Sequence, residues 1–405
     1  MNNLLITKHE KDQEIVLLVE DPHRNPIVKY TFCSKTTGTE LGRRIVLITL
    51  LRYAIMMTLN IDQIEITFSL DDYEKEYLES EIDNLVSYSL RNQSFHMKTP
   101  RLIYGGVSYS NEYPNIPLDP TTVFIGYSGG KDSQLCYELL HGVFEHIRKY
   151  KIDFETEQYE HDYHERIDII DNDMYQKVST EALFTAQGKD YYQEEDLHCC
   201  FAIPYWGVTI NHPQVLSIGL QFDVVNDYLC NDSGEKITEF DLLETYDSLK
   251  KFEALMHYYG LSGFKVIVPL ASITSFGIYS ILQKKYGESG LRALNSCWSP
   301  TPDGKPCGKC LKCQRVSYIY NILGMELTDI EKASLELANS SGIRLDFLFG
   351  SITCQRLLEN QDKLKVPLHA ALFVDEKIEE LDWGMSKKIA TLYSLTRIDN
   401  PFKEK

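Results

Sequence analysis

Six residues, Ser128-Gly129-Gly130-Lys131-Asp132-Ser133, break off a β-prone run and open a helical one. Residues 122–127 before them read as a short apolar strand, and Leu135, Leu139 and Leu140 after them recur at helical spacing. The same order returns downstream. Residues 215–219 and 266–268 are short apolar strands, the second followed by a helical pattern over 274–286. Strands alternating with helices predict an α/β fold, a parallel sheet with helices on both faces. The two glycines let the backbone turn tightly and bring its N–H groups close to a ligand, and the helix N-terminus adds a dipole that favours an anion. Ser128 and Ser133 can donate hydroxyl hydrogen bonds to phosphate oxygens, and Lys131 is an additional cation. Asp132 would be repelled by phosphate, so its expected roles are to act through Mg²⁺ or to hold the loop amides. A glycine turn with a polar helix cap explains less, because it does not require six residues in this order at a strand-to-helix junction. A Walker loop is excluded, since no Gly-Lys-Ser/Thr ending is present.

A second cluster lies near residue 300. Cys297, Cys307, Cys310 and Cys313 follow the spacing C-x9-C-x2-C-x2-C. Four thiolates on one short segment can close a tetrahedron around Zn²⁺, and a site closed by four sulfurs is structural. An iron–sulfur cluster is the rival occupant. Zinc is expected, because a cluster acting on a substrate would want one ligand position free. Cys33, Cys136, Cys199, Cys200, Cys230 and Cys354 fit no metal spacing and are expected to be buried. His198 beside Cys199 and Cys200 cannot easily converge with them on one ion, and His212 reads as a turn residue before a strand.

Ahead of the phosphate loop, residues 14–20 and 27–32 form a hairpin around a turn at 21–26. A buried helix over 43–59, a strand over 63–70 and an acidic helix over 72–90 complete a small α+β unit. Prolines and glycines collect between 95 and 118. The domains expected are therefore 1–115, an N-terminal α+β accessory unit; 116–325, the α/β domain with the four cysteines; and 326–405, a helical C-terminal extension. A long helix over 239–259 carries Leu249, Phe252 and Met256 on one stripe, with Gly260 as its stop. The acidic run 155–173 reads as a solvated insertion. The apolar run 45–59 is too short to span a bilayer and is interrupted by Arg52. The 41 basic and 59 acidic residues of this 405-residue chain give a net charge of −18, which disfavours a long nucleic acid as partner. Ten cysteines with no secretory leader pattern point to a reducing compartment, and a cytoplasmic location is expected.

The loop resembles the SGGxDS signature of the PP-loop ATP pyrophosphatases, an adenine nucleotide alpha hydrolase-like fold. Taken with the late Cys297…Cys307-Gly308-Lys309-Cys310-x2-Cys313-x-Arg315 segment, it resembles the 7-cyano-7-deazaguanine synthase (QueC-like) family over about residues 120–325. The resemblance implies that ATP, with Mg²⁺, adenylates a carboxylate, 7-carboxy-7-deazaguanine, and that an amine then displaces AMP. Two departures stand out. Ser275 occupies a position where the family has Lys, and the family's Asp-Tyr-x-Gly-Tyr-Pro-Asp-Cys-Arg stretch is unrecognisable, with Asp223, Asp227, Tyr228 and Asp232 as the only remnants. Members carrying added units at both ends resemble proteins of bacterial antiviral defence operons. The expected activity is thus amide formation between a deazaguanine carboxylate and an amine, one belonging to a partner protein included. Alternatives are nitrile synthesis from ammonia, a tRNA-modifying PP-loop enzyme, and a non-catalytic nucleotide-binding module.

Overall fold

A computed structural model describes residues 3–11, 13–34, 39–57, 61–91, 100–107, 111–141, 143–155, 162–170, 177–188, 212–219, 229–230, 236–237, 246–270, 275–294, 297 and 301–340. Among them are thirteen strands and seven helices. The chain divides into two compact units that interleave along the sequence. The first comprises Met1–Phe124, Glu145–Leu216 and Cys230–Val266; the second comprises Ile125–Phe144, Ser217–Leu229 and Ile267–Lys405.

The first unit is organised by its sheet. Strands β1 (Asn3–Lys11), β2 (Glu14–Glu20) and β3 (Pro26–Ser34) form an antiparallel meander, with Leu17 opposite both Lys8 and Tyr30. The turn between β2 and β3 is held by Asp21, whose carboxylate accepts the N–H groups of His23 (2.8 Å) and Asn25 (2.9 Å). On the far side of β1, β4 (Gln63–Ile66) and then β5 (Arg101–Tyr104) add in parallel. β6 (Asp119–Gly126), β7 (His146–Glu155), β8 (Asp162–Ile170), β9 (Lys177–Gly188), β10 (Pro213–Ser217) and β13 (Lys265–Ile267) complete eleven strands in the order β13-β10-β6-β7-β8-β9-β3-β2-β1-β4-β5. β11 (Leu229–Cys230) and β12 (Lys236–Ile237) pair by themselves. The architecture is α/β and includes a parallel sheet.

The strand order corrects one expectation. The acidic run 155–173 is not a plain insertion, because β8 runs through it, antiparallel to β7 and β9. Asp162, His164, Arg166 and Asp168 alternate with Tyr163, Glu165, Ile167 and Ile169, and that period of two, broken only at Glu165, suits a strand whatever the net charge. A second correction concerns Cys33, which is exposed. It lies between buried Phe32 and Ser34, so the alternation of β3 turns it outward.

α1 (Glu40–Met57) packs on β2 and β3 and buries Ile45, Ile48, Leu51 and Ile55; no described helix is long and apolar enough to cross a membrane. α2 (Asp72–Arg91) begins with a reciprocal cap. Asp71 accepts the Glu74 N–H (2.8 Å), and Glu74 accepts the Asp71 N–H (3.0 Å). Glu74 also receives the Arg44 guanidinium from α1 and the Tyr259 hydroxyl (2.8 Å) from just beyond α4 (Tyr246–Tyr258). Two turns along α2, Glu81 pairs with Arg52 of α1 and, at 3.5 Å, with Lys251 of α4. Three helices are thus pinned by buried ion pairs. Gly260 ends α4 in the left-handed region (φ 89°), and a Cβ there would lie 2.1 Å from the Pro114 carbonyl oxygen. Of the helix expected over 239–259, residues 239–245 lie outside the described residues.

In the second unit, α3 (Lys131–Leu140) packs on α5 (Ser275–Ala293), and α6 (Leu311–Ile322) on α7 (Asp329–Ser340). Residues 341–405, most of the expected C-terminal extension, lie outside the described residues.

Candidate phosphate loop and metal centre

β6 lies between β10 and β7, so the chain leaves it for one neighbour and later returns to the other. The carboxyl end of a strand at such a reversal is the usual ligand position of an open α/β sheet. Residues 127–131 occupy that end. Gly129 adopts φ 78°, a left-handed conformation that side-chain-bearing residues rarely take, and the space where a Cβ would stand is open. Gly130 is the N-cap of α3 and offers no side-chain acceptor to the first N–H groups of the helix. Ser128 is exposed, whereas Ser133 is buried and donates its hydroxyl to the Gly130 carbonyl (3.0 Å). Lys131 is only 7% exposed, and its ammonium contacts Asp132 Oδ1 at 2.5 Å and lies 5.6 Å from the centre of the Tyr279 ring. All six loop residues proposed from the sequence therefore sit on one turn.

A polar chain braces the loop from behind. The Tyr127 hydroxyl donates to Gln134 Oε1, and Gln134 Nε2 donates to Glu138 (3.0 Å) and to Tyr286 of α5 (2.8 Å). Tyr286 in turn donates to Glu138, which also pairs with Lys285. Nothing in the local sequence announces this network, since its two halves are about 150 residues apart. Cys136, one turn into α3, is buried, and burial pushes its thiol far above the ordinary range.

The four cysteines converge. Their sulfurs all lie within 4.8 Å of one another, with Cys297–Cys310 at 3.9 Å and Cys307–Cys313 at 3.8 Å. Zinc–sulfur bonds of about 2.3 Å at tetrahedral angles would place sulfurs about 3.8 Å apart, so the set fits a metal ion such as zinc. Backbone N–H groups point at the sulfurs. Cys297 Sγ accepts from Cys307 (3.3 Å), Cys307 Sγ from Lys309 and Cys310 (both 3.4 Å), and Cys310 Sγ from Cys313 (3.4 Å). The Lys309 and Cys310 amides pull the Cys307 thiol down to about 6, whereas burial pushes the Cys313 thiol up. Cys310 is at the same time the N-cap of α6.

α6 carries Lys312 between two of the cysteines, and Arg315 one turn on. Lys312 is half-buried, and burial followed by the Lys131 ammonium depresses its pKa, while Asp132 acts in the opposite direction. The cysteine segment and the glycine loop both belong to the second unit. Of the remaining sequence candidates, His212 precedes β10 with φ 40°, and its carbonyl accepts the Asp119 N–H (2.9 Å). Ser275 begins α5. His198, Cys199, Cys200, Asp223, Asp227, Tyr228, Asp232 and Cys354 lie outside the described residues. No protein-family profile, curated protein or solved structure matches the chain.

Proposed function

We propose that residues Ser128–Ser133 bind the polyphosphate of ATP and that the protein cleaves ATP between its α and β phosphates to activate a carboxylate. The observation that carries this reading is the turn itself: Gly129 in the left-handed region at the carboxyl end of β6, leading into α3 with Lys131, Asp132 and Ser133 in the first turn. Amide N–H groups and the helix dipole there favour an anion. Half-exposed Asp132 is the carboxylate available to Mg²⁺ brought by the nucleotide, and that ion would offset phosphate charge. With Asp132 given to Mg²⁺, the reaction needs no general base to make its nucleophile, which is already an anion. A carboxylate oxygen attacks the α-phosphorus, the bond to the bridging oxygen breaks, and pyrophosphate departs held by the loop. An amine then attacks the acyl carbon, losing a proton as AMP leaves.

The resemblance of the loop and cysteine segment makes 7-carboxy-7-deazaguanine the substrate of choice. The rewritten stretch after residue 220 and the serine at 275 favour an amine other than ammonia, carried by a partner protein. The setting proposed is a bacterial defence system in the cytoplasm. The test supplies purified protein with ATP, Mg²⁺, the deazaguanine carboxylate and either ammonia or proteins encoded beside it. Appearance of AMP and pyrophosphate with a deazaguanine-sized mass on the partner is the expected result, and Asp132→Ala should abolish both while leaving the fold intact. Release of ADP rejects the reading. Efficient nitrile formation from ammonia, with no partner modified, moves the conclusion to the synthase.

A further inference from the structure

Ile330 and Leu337 are large apolar side chains left 48% and 40% exposed, and among the described residues only Val107 is comparable. They stand seven residues apart on α7 with exposed Ala333 between them, a spacing that puts all three on one side of the helix. Packing on α6 uses the neighbouring side, where Ser334 and Ala338 are buried. At 1.5 Å per residue the stripe runs about 10 Å. Apolar side chains scattered singly over a surface need no explanation, but a row of them beside a cavity is a continuous patch.

The cavity lies at the N-terminal end of the stripe. It measures about 240 Å³, and Ile330 lines it together with Leu294, Pro306, Val316 and Tyr320. The cysteine segment comes close there, since a Cβ on Gly308 (φ 70°) would lie 2.7 Å from Ile330 Cγ2. The charged side chains of the wall already have partners. Arg292 donates to both carboxylate oxygens of Glu331 (3.1 and 3.2 Å), to Glu288 (3.3 Å) and to the Glu326 carbonyl (2.5 Å), and Lys305 meets Asp303 at 2.6 Å. An apolar group therefore suits the cavity better than a charged one. Its volume is below the roughly 300–1,000 Å³ of sites for drug-sized molecules, so a single side chain is the better fit.

The stripe is bordered by acids on the side away from α6. Asp329 and Glu336, also seven residues apart, flank it there, and exposed Glu326 precedes it. Asp329 meets Lys332 at 3.8 Å, whereas no ion pair among the described residues engages the Glu326 and Glu336 carboxylates. Two copies of α7 laid antiparallel, Ile330 against Leu337, would set these acids beside the same acids of the other copy, and like charges so placed are destabilising. A basic partner meets them with opposite charge.

We propose that the stripe and cavity form a docking groove for an amphipathic helix of a partner protein. That helix presents apolar residues at i, i+3 or i+4 and i+7, with lysine or arginine beside them, and one apolar side chain enters the cavity. The groove is independent of the phosphate-loop reading, since no residue of Ser128–Ser133 takes part.

A display library of helical peptides, selected at physiological salt on the full-length protein, supplies the probes. Selected peptides are then titrated by fluorescence anisotropy against wild type, Leu337→Ser, Ala333→Arg and Glu336→Lys. These positions are exposed, so melting temperature and metal content should stay at wild-type values, and either stripe variant suffices if the other proves insoluble. The peptides should carry the apolar spacing with basic flanks and bind Leu337→Ser and Ala333→Arg about tenfold or more weakly. Glu336→Lys should weaken them about threefold or more, and peptides scrambled at fixed composition should bind wild type about tenfold or more weakly. Equal binding to the stripe variants overturns the proposal, as do acidic flanks, scrambled peptides that bind as well, or a library that yields no binder. A wild-type dimer that Leu337→Ser dissociates in sedimentation velocity overturns it too, and assigns the face to a second copy.

Discussion

Glu74 is wholly buried, and burial raises its carboxyl pKa even though Arg44 pulls the other way. Its position is tolerable because Arg44, the Tyr259 hydroxyl and the Asp71 amide all donate to it. Removing the carboxylate would leave the Arg44 guanidinium, 14% exposed, without that partner. Such a loss costs about 3–5 kcal/mol. Glu74→Ala should therefore lower the unfolding free energy by about that amount in urea titrations. Glu79→Ala, which loses only an exposed contact to the Tyr104 hydroxyl (3.2 Å), should shift it by under about 0.5 kcal/mol. At this scale the sequence was readable where a residue's role is set by near neighbours in the chain. The loop glycines and the four cysteines are such cases. The partnership of Glu74 with Arg44 spans 30 residues, and that of Gln134 with Tyr286 spans 152, so no local pattern carries either. Cys33 shows the reverse failure, a residue type with a buried tendency placed on the outward side of β3 by its neighbours' alternation.

Elements read well from the sequence where hydrophobic period and punctuation agree. β6 with α3, the β2–β3 hairpin, α1 and the glycine stop after α4 all have both signals. β8 has the period, but its charges disguised it as solvent-facing chain. The segment from Cys297 to Cys313 is a different kind of element, since its described residues 301–310 belong to no strand or helix. Its four thiols form a cluster that could hold a metal ion, and the binding energy of a structural metal is folding energy. Elemental analysis should find about one zinc per chain. Cys310→Ser should lose the metal and yield poorly folded protein even though serine can still cap α6, because the metal's binding energy is folding energy. Iron in place of zinc, or normal folding of the metal-free variant, would contradict this.

At the scale of the whole molecule, the two units are each assembled from separated stretches of chain, with the division passing through the ends of β6, β10 and β13. A nucleotide bound at the loop should stabilise the second unit as a unit. Hydrogen exchange with and without ATP is expected to show slowed amides in α3, α5 and α6 together, while β1 to β3 exchange at unchanged rates. Protection confined to α3 would show that its packing on α5 transmits nothing. The interleaving has a further consequence during synthesis. When Ser133 leaves the ribosome, Tyr286 and Cys313 have yet to be made, so the loop emerges without its brace and before the cysteine cluster is complete. At about 5–20 residues per second, the roughly 180 residues from Ser133 to Cys313 take on the order of ten seconds or longer to translate. Through that interval the loop lacks the Gln134–Tyr286 hydrogen bond that braces it in the folded chain.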